Sequence, residues 1–149
     1  MKALVIYDSL YGNTEKIAKA IGGAIKGEVR VLPVAEANAT ELKSLDLLII
    51  GSPTQGGNAT KAMQAFMGNI PETALKGVKV ATFDTRYASG WAKIFGFAAG
   101  RMAKYFKGKS ANLVVPSEGF FVTGSKGPLK VGEIERAAAW AKTISGSQK

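Results

Sequence analysis

Short apolar runs alternate along the chain with segments whose apolar side chains recur every three or four residues. A near-continuous apolar run is typical of a strand covered on both faces, whereas the recurring spacing is typical of an amphipathic helix. The runs predict five strands, the last of them interrupted around residues 116–119. These strands are expected over residues 2–7, 28–34, 46–51, 78–83 and 112–122.

The segments between the runs predict helices. In the first of them Ile17, Ile21 and Ile25 share one face, while Thr14 and Glu15 suit its first turn. The other helices are expected near residues 39–45, around Met63, Phe66, Met67 and Ile70, over residues 91–107 and over residues 132–144.

Strands that alternate with helices predict an α/β fold, here one domain over residues 1–149. Crossovers between parallel strands are right-handed and the apolar runs need cover on both faces, so we expect a doubly wound, five-stranded parallel sheet with helices on both faces. Pro33 lacks an N–H and places the second strand at an edge. Ligands of such folds bind at the carboxyl ends of the strands. The loops after the first, third and fourth strands are therefore the candidate site.

Composition narrows the chemistry. The 149 residues include no cysteine and no histidine. Disulfides, thiolate metal sites and cysteine nucleophiles are therefore excluded, and the usual general base is missing. Any redox chemistry must then be carried by a bound organic cofactor.

The net charge of +9 belongs to the second half of the chain. Residues 1–75 hold seven Lys/Arg and seven Asp/Glu, whereas residues 76–149 hold thirteen and four. Such a half could meet nucleic acid, an anionic membrane or an acidic protein. The basic face of the fourth predicted helix is expected to be solvated. Phe97 is the one aromatic among its charges, whereas a nucleic-acid surface usually presents several, so we do not expect nucleic-acid binding. The basic face carries Lys93, Arg101, Lys104 and Lys107, and the opposite face, expected to be buried, carries Ile94, Phe95, Ala98, Met102, Tyr105 and Phe106.

The sequence does not predict a membrane protein. No apolar run approaches the roughly 18 to 20 residues that a spanning helix needs. The chain starts directly with a strand-like run and lacks the basic flank and apolar stretch of an export signal. We expect a cytoplasmic protein.

The first loop, residues 9–14, joins a strand end to a helix start. Its hydroxyls, side-chain amide and backbone N–H groups beside the positive end of a helix favour a phosphate. The loop has neither the lysine of a Walker loop nor the GxGxxG of a dinucleotide fold. The alternative is that Ser9 and Thr14 only cap the helix and Gly12 only makes a turn.

The stretch over residues 5–21, VIYDSLYGNTEKIAKAI, resembles the flavodoxin signature along its whole length. The tail, with GFFV at residues 119–122 and GPL at residues 127–129, is similar to that of small flavodoxin-like proteins. The resemblance implies the strand order 2-1-3-4-5, bound FMN and electron transfer between redox partners. It also implies that the first loop holds the FMN phosphate, with Tyr11 where many members have Thr. The residues concerned are Ser9, Leu10, Tyr11, Gly12, Asn13 and Thr14.

In flavodoxins the second loop, residues 52–58, contains a peptide that turns to bond the flavin N5 as the ring is reduced. The adjacent Gly56 and Gly57 match that role by similarity, and glycine lets a backbone approach a planar ligand. Gln55 stands where many members place an aromatic over the inner ring face. By resemblance the cofactor-binding residues here are Pro53, Thr54, Gln55, Gly56, Gly57 and Asn58.

The third loop, residues 84–91, brings two aromatics close to the expected ligand. By resemblance Tyr87 stacks on the outer flavin face, a contact worth about 0.5 to 1.5 kcal/mol beyond burial, while Trp91 and Trp140 are interpreted as core residues. The cofactor-binding residues expected here are Asp84, Thr85, Arg86, Tyr87 and Gly90.

Three functions stay open at this point. The first is an FMN electron carrier whose basic charge predicts an acidic redox partner and a less negative final couple than in acidic flavodoxins. The second is an FMN-dependent reductase of quinones or nitro compounds, against which the absence of histidine and of a long insertion counts. The third is a flavin-free binding module on the same fold, which the departures at Tyr11 and Gln55 keep open.

Overall fold

The computed structural model describes residues 1–40, 42, 44–87 and 96–146. In chain order its elements are β1 (Lys2–Tyr7), α1 (Asn13–Ala24), β2 (Glu28–Pro33), a 3₁₀ turn (Val34–Glu36), β3 (Leu47–Pro53), α2 (Lys61–Gly68), β4 (Lys79–Tyr87), α3 (Ala98–Gly108), β5 (Asn112–Leu113), β6 (Glu118–Val122) and α4 (Glu133–Gly146).

The strands form one parallel sheet in the order β2-β1-β3-β4-β5, and β6 continues beside β4 beyond β5. The predicted order 2-1-3-4-5 is confirmed, with the fifth position divided between two short strands. β2 lies at an edge, as Pro33 predicts. The change of direction in strand order falls between β1 and β3, so a cleft is expected at their carboxyl ends.

Alternate strand residues bury opposite faces of the sheet. On one face Ile6 and Ile50 pack with Met102 and Phe106 of α3. On the other face, Ile17 of α1 and Trp140 of α4 cover the sheet. Trp140 meets the rings of Phe83 and Phe120 edge-on with centroids 6.1 and 6.0 Å apart, so its predicted core role is confirmed.

Four sequence expectations about elements are corrected. The stretch over residues 39–45 forms turns and irregular backbone where it is described, not a helix. The helix expected over residues 91–107 starts at Ala98, with residues 91–95 outside the described part. Tyr105, expected on the buried side of that helix, is 36% exposed. Strands β3 and β4 run on to Pro53 and Tyr87, so residues taken as loop belong to strand ends.

None of the helices in the described residues is both long and apolar enough to cross a bilayer.

Candidate functional site

A cleft of about 470 Å³ opens at the carboxyl ends of β1, β3 and β4. Its volume lies within the range of about 300 to 1,000 Å³ that is usual for small-molecule sites. The three predicted loops meet there, together with residues from the start of α3 and the end of β6. The described lining residues are Ser9, Leu10, Tyr11, Asn13, Thr14, Pro53, Thr54, Gln55, Gly56, Gly57, Thr85, Arg86, Tyr87, Phe97, Val122 and Ser125.

The first loop is shaped around Gly12, whose φ of 90° is left-handed and suits glycine. Gly12 is the N-cap of α1 and offers no side chain to the first turn. Instead Ser9 Oγ accepts the N–H groups of Gly12 at 3.0 Å and of Glu15 at 3.4 Å. Ser9 therefore does part of the capping that the alternative interpretation expected. The remaining amides of a helix start lack partners inside the helix, which makes this end of the cleft suited to an anion.

Thr14 does not cap the helix. Its Oγ1 lies 2.7 Å from Oγ1 of Thr85, and both residues are almost fully buried. This hydrogen bond fastens the start of α1 to the end of β4 and so fixes the first and third loops relative to each other. Both hydroxyls belong to residues that line the cleft.

The second loop is a tight two-residue turn. Gln55 and Asn58 exchange backbone hydrogen bonds at 2.7 and 3.0 Å. Gly56 and Gly57 between them have φ angles of 54° and 83°. Two consecutive positive φ angles define the type I′ hairpin turn, which Gly-Gly adopts readily. Both glycines line the cleft, so their peptide is the backbone group presented to a ligand.

Asn58 closes this turn without lining the cleft, because its side-chain oxygen accepts the N–H of Ala59 at 2.8 Å. Thr54 holds the base of the same loop in two directions. Its N–H donates to the carbonyl of Thr85 at 2.9 Å, and its Oγ1 accepts the N–H of Ala98 at 3.0 Å. The second loop is thus tied to both β4 and α3.

Asp84 lies beneath the cleft and not in it. Its carboxylate is fully buried and accepts from Arg86 Nε and Nη2, each at 2.8 Å, and from the N–H of Ala99 at 2.8 Å. Burial raises the pKa of Asp84 above its ordinary value, although the bonds from Arg86 oppose that shift. Arg86 itself lines the cleft.

Aromatic rings stand at the mouth. Tyr87 is 50% exposed and Tyr11 56% exposed, and both line the cleft. Phe97, which the sequence only marked as an exposed ring among charges, is half-buried there, with the Cζ of Arg86 3.7 Å from its ring centroid. A planar aromatic ligand would find ring faces on which to stack.

Val122 and Ser125 also line the cleft and were not predicted. The topology could have identified them: β6 runs parallel to β4, so the carboxyl end of β6 lies at the same edge of the sheet as the cleft. The segment after β6, residues 123–130, runs back antiparallel to β6 and contacts the first loop. Asn13 Nδ2 donates to the carbonyl of Lys126 at 3.2 Å, and Lys126 Nζ lies 5.9 Å from the ring centroid of Tyr11.

The structure therefore brings most of the predicted site residues together. Gly12, Asn58 and Asp84 support the cleft without lining it. Gly90, with Trp91 and Lys93, lies outside the described residues. One end of the cleft is polar and lies at the start of α1, and the other is lined by Gly56, Gly57, Arg86, Tyr87 and Phe97. This arrangement suits a ligand that joins a phosphate to a planar ring, which places the protein in the class of α/β domains with a mononucleotide-type site at the switch in strand order.

Comparison with known proteins narrows this class to one family. A family model described as a flavodoxin domain matches residues 4–114. A flavodoxin of Picosynechococcus is 34% identical over 92 residues, which cover 60% of this chain and 54% of the relative. A putative diflavin flavoprotein A 4 of Synechocystis is 34% identical over 99 residues, 62% of this chain but 17% of that protein. The chain thus spans about half the length of the first of these relatives and far less than half the length of the second.

Similarity to solved structures extends over the whole fold. A flavodoxin from the domain Archaea superposes with a TM-score of 0.83 at 22% identity, covering 100% of both chains. The chain belongs to the flavodoxin family. Flavodoxins bind FMN and transfer electrons between redox partners.

Proposed function

We propose that this protein is a one-electron carrier that holds FMN in the cleft and exchanges electrons with larger redox proteins. The observation that carries the proposal is the division of the cleft into an anion-binding end at the start of α1 and a ring-binding end between Gly56–Gly57, Tyr87 and Phe97. Bound FMN supplies chemistry that the side chains lack, because it takes up and releases electrons one at a time.

The residues present fit FMN. In the proposed assignment the first loop binds the phosphate through backbone N–H groups and the hydroxyls of Ser9 and Thr14. The volume of about 470 Å³ suits a ligand of that size class. The Gly56–Gly57 peptide is free of β-carbons and can meet the edge of the ring. Tyr87 stacks on the ring at the cleft mouth.

Shape supports a carrier and not a turnover enzyme. Leu10, Tyr11 and Tyr87 are large, exposed and gathered at the mouth of the cleft, with exposed fractions of 49%, 56% and 50%. Such a rim keeps water from most of the ring and leaves one edge close to the surface. An edge close to the surface lets electrons pass to a docked protein without a substrate entering the site.

Charge at the same end of the molecule supports an acidic partner. Lys16 and Lys61 are exposed in the first turns of α1 and α2, which both start at the carboxyl edge of the sheet. Lys126 is exposed beside Tyr11. These three lysines, the rim lysines, lie at the edge of the sheet on which the cleft opens, and in this proposal their positive charges attract an acidic docking face.

The first test is reconstitution. The purified chain is titrated with FMN and, in parallel, with riboflavin, and binding is followed by loss of flavin fluorescence. FMN must bind at least about tenfold more tightly than riboflavin, since a phosphate held at a helix start contributes at least one charge-assisted hydrogen bond. Equal binding of the two would contradict the assignment of the phosphate to the first loop, and no binding at micromolar concentration would contradict the proposal and favour the flavin-free module.

A second test separates carrier from reductase. The FMN-loaded protein is reduced stepwise without oxygen while its visible spectrum is recorded, and a separate oxidised sample is mixed with NADPH or NADH. A carrier takes its two electrons in separate steps and is not reduced by the nicotinamide alone. Rapid oxidation of NAD(P)H with a quinone or nitro compound as acceptor would establish the reductase instead.

The partner proposal is tested through salt dependence. Electron transfer from the reduced protein is measured to an acidic ferredoxin-type protein and to a basic c-type cytochrome. We expect faster association with the acidic acceptor, slowed by salt. Reversing Lys16, Lys61 and Lys126 to Glu must abolish that preference. The matched control reverses three exposed lysines away from the cleft, Lys26 after α1, Lys76 before β4 and Lys142 in α4. The net charge then changes by the same amount, and the preference must stay unchanged.

A further inference from the structure

Arg86 is the one charged side chain among the described residues that line the cleft. It is held more firmly than a surface arginine. Its Nε and Nη2 donate to the two carboxylate oxygens of Asp84 at 2.8 Å, and its side chain is only 18% exposed. A bidentate pair of this kind fixes both the position and the orientation of a guanidinium.

Two further residues, Phe97 and Gly119, complete the set of contacts that holds Arg86 in place, here called the clamp. The Cζ of Arg86 lies 3.7 Å from the ring centroid of Phe97, a stacked cation–π geometry. On β6, Gly119 is paired with Asp84 across the sheet, and a β-carbon at Gly119 would overlap the guanidinium. The space for this arginine therefore exists only because position 119 is glycine.

The position of Arg86 separates it from the anion-binding end. Side chains alternate along β4, so Asp84 and Arg86 share one face of the sheet and Thr85 has the other. Thr85 bonds Thr14 of α1, whereas Asp84 accepts an N–H of α3. The cation thus lies on the α3 face, away from the phosphate loop and beside the ring-binding end.

We propose that Arg86 determines the preference of the site for reduced over oxidised flavin. The inference rests on the proposed FMN function. Each electron that a redox partner delivers without an accompanying proton adds one negative charge to the bound ring. Arg86 carries a fixed positive charge at that end of the cleft, with its counter-ion Asp84 buried behind it. The charge attracts the ring more strongly after such an electron has been added, so reduced FMN binds more tightly.

Coulomb attraction across about 10 Å at an effective dielectric of 40 to 20 corresponds to about a fourfold to fifteenfold preference. A tenfold change in an equilibrium constant corresponds to 59 mV for one electron. An uncompensated arginine is therefore expected to raise the affected potential by about 35 to 70 mV, and the Asp84 carboxylate reduces that rise in the wild type.

The test is a charge series on the full chain loaded with FMN. Potentials at pH 7 are measured for the wild type, Arg86→Gln, Asp84→Asn and the double variant Asp84→Asn/Arg86→Gln. Removing Asp84 leaves the arginine uncompensated, and removing Arg86 leaves a buried carboxylate. We therefore expect the highest potential for Asp84→Asn, then the wild type, then the double variant, and the lowest for Arg86→Gln.

The double variant protects the test from misfolding, because it leaves no unpaired buried charge. Lys107→Gln is the matched control: it removes one exposed positive charge from the last turn of α3, about 14 Å along the helix from its start, and must shift the potential by less than a third as much. A double variant with the same potential as Asp84→Asn, or an Asp84→Asn potential below that of the wild type, would overturn the inference while leaving FMN binding intact. Failure of the wild type to bind FMN would overturn the proposed function as well.

Discussion

The hydroxyls of Thr14 and Thr85 lie 2.7 Å apart and join the first turn of α1 to the end of β4. Both side chains are buried, with exposed fractions of 1% and 4%. A buried hydroxyl that loses its partner costs about 1 to 3 kcal/mol. The bond therefore stabilises the fold and also determines where the first loop, the proposed phosphate loop, lies relative to the rest of the cleft.

Replacing Thr85 by Val should weaken the preference of the site for FMN over riboflavin. The substitution removes the partner of Thr14 and lets the phosphate loop shift, so we expect a loss of about threefold to tenfold in FMN affinity with a smaller loss for riboflavin. Fluorescence titration with the two flavins measures both.

Thr82→Val is the matched control for this experiment. Thr82 is equally buried in β4, and its Oγ1 donates to the carbonyl of Ala99 at 2.9 Å, far from the phosphate loop. Its loss should lower the free energy of unfolding by a similar amount without changing the ratio of the two affinities. The same change of ratio in both variants would mean that the Thr14–Thr85 bond has no specific part in phosphate binding.

The segment after β6 should act as one wall of the phosphate end. Gly127 has a φ of 98°, and a β-carbon there would come within 2.6 Å of the Asn13 side-chain nitrogen that bonds Lys126. Gly127→Ala should therefore move the segment away and weaken FMN binding about threefold or more, as measured by titration. Salt should then affect the affinity less, because Lys126 moves with the segment.

Gly132→Ala controls for backbone strain alone. Gly132 has a similar φ of 92°, but a β-carbon there meets nothing within 4 Å. This variant should lose about 1 kcal/mol of stability, as Gly127→Ala also does through its φ, and keep its FMN affinity. If the two variants bind FMN equally, the contact between Asn13 and the segment is irrelevant to the site.

The strands were predictable because the apolar runs follow burial on both faces, and the three loops were predictable because parallel strands end at one edge. The predictions that were wrong or missing concern segments whose structure depends on competing local hydrogen bonds or on residues distant in the sequence. Asn38 Oδ1 accepts the N–H of Thr40 at 3.0 Å and its hydroxyl at 2.7 Å, a side-chain turn that competes with the helix expected over residues 39–45.

The start of α3 depends on tertiary contacts. Its N-cap Phe97 provides no side-chain bond, and the first amides are taken by Thr54 and Asp84 from the ends of two strands. No local signal marks such a start. The same holds for Phe97, Val122 and Ser125, which reach the cleft only because α3 and β6 dock there. The division of the fifth strand is more local, since Pro116 lacks an N–H for the sheet.

Gly119→Ala tests the clamp around Arg86 without altering a charge. The added β-carbon would overlap the guanidinium and separate it from Asp84. Because breaking a buried pair costs roughly 3 to 5 kcal/mol, the variant should unfold at clearly lower denaturant concentration. Its FMN potential should move in the same direction as in Arg86→Gln. Adding Asp84→Asn should restore part of the stability, and a potential in that folded double variant equal to that of Asp84→Asn alone would show that the position of Arg86 is immaterial.

The start of α4 should make stability depend on pH through Glu133. This buried carboxylate accepts the N–H of Phe121 at 2.7 Å and pairs with Arg136 at 2.7 Å, and these bonds lower its pKa below the ordinary value. A lowered folded-state pKa means that the stabilisation is fully present above the unfolded pKa of about 4.3 and is lost as the pH falls through the folded value. Glu133→Gln should therefore cost about 1 to 3 kcal/mol at pH 7, measured by denaturant unfolding, with a difference from wild type that shrinks below about pH 4.

The control is Glu135→Gln. Glu135 is exposed in the same first turn, and its replacement should cost less than about 0.5 kcal/mol at either pH. A Glu133→Gln deficit that stays constant down to pH 2 would show that the carboxylate stabilises α4 by its shape and not by its charge.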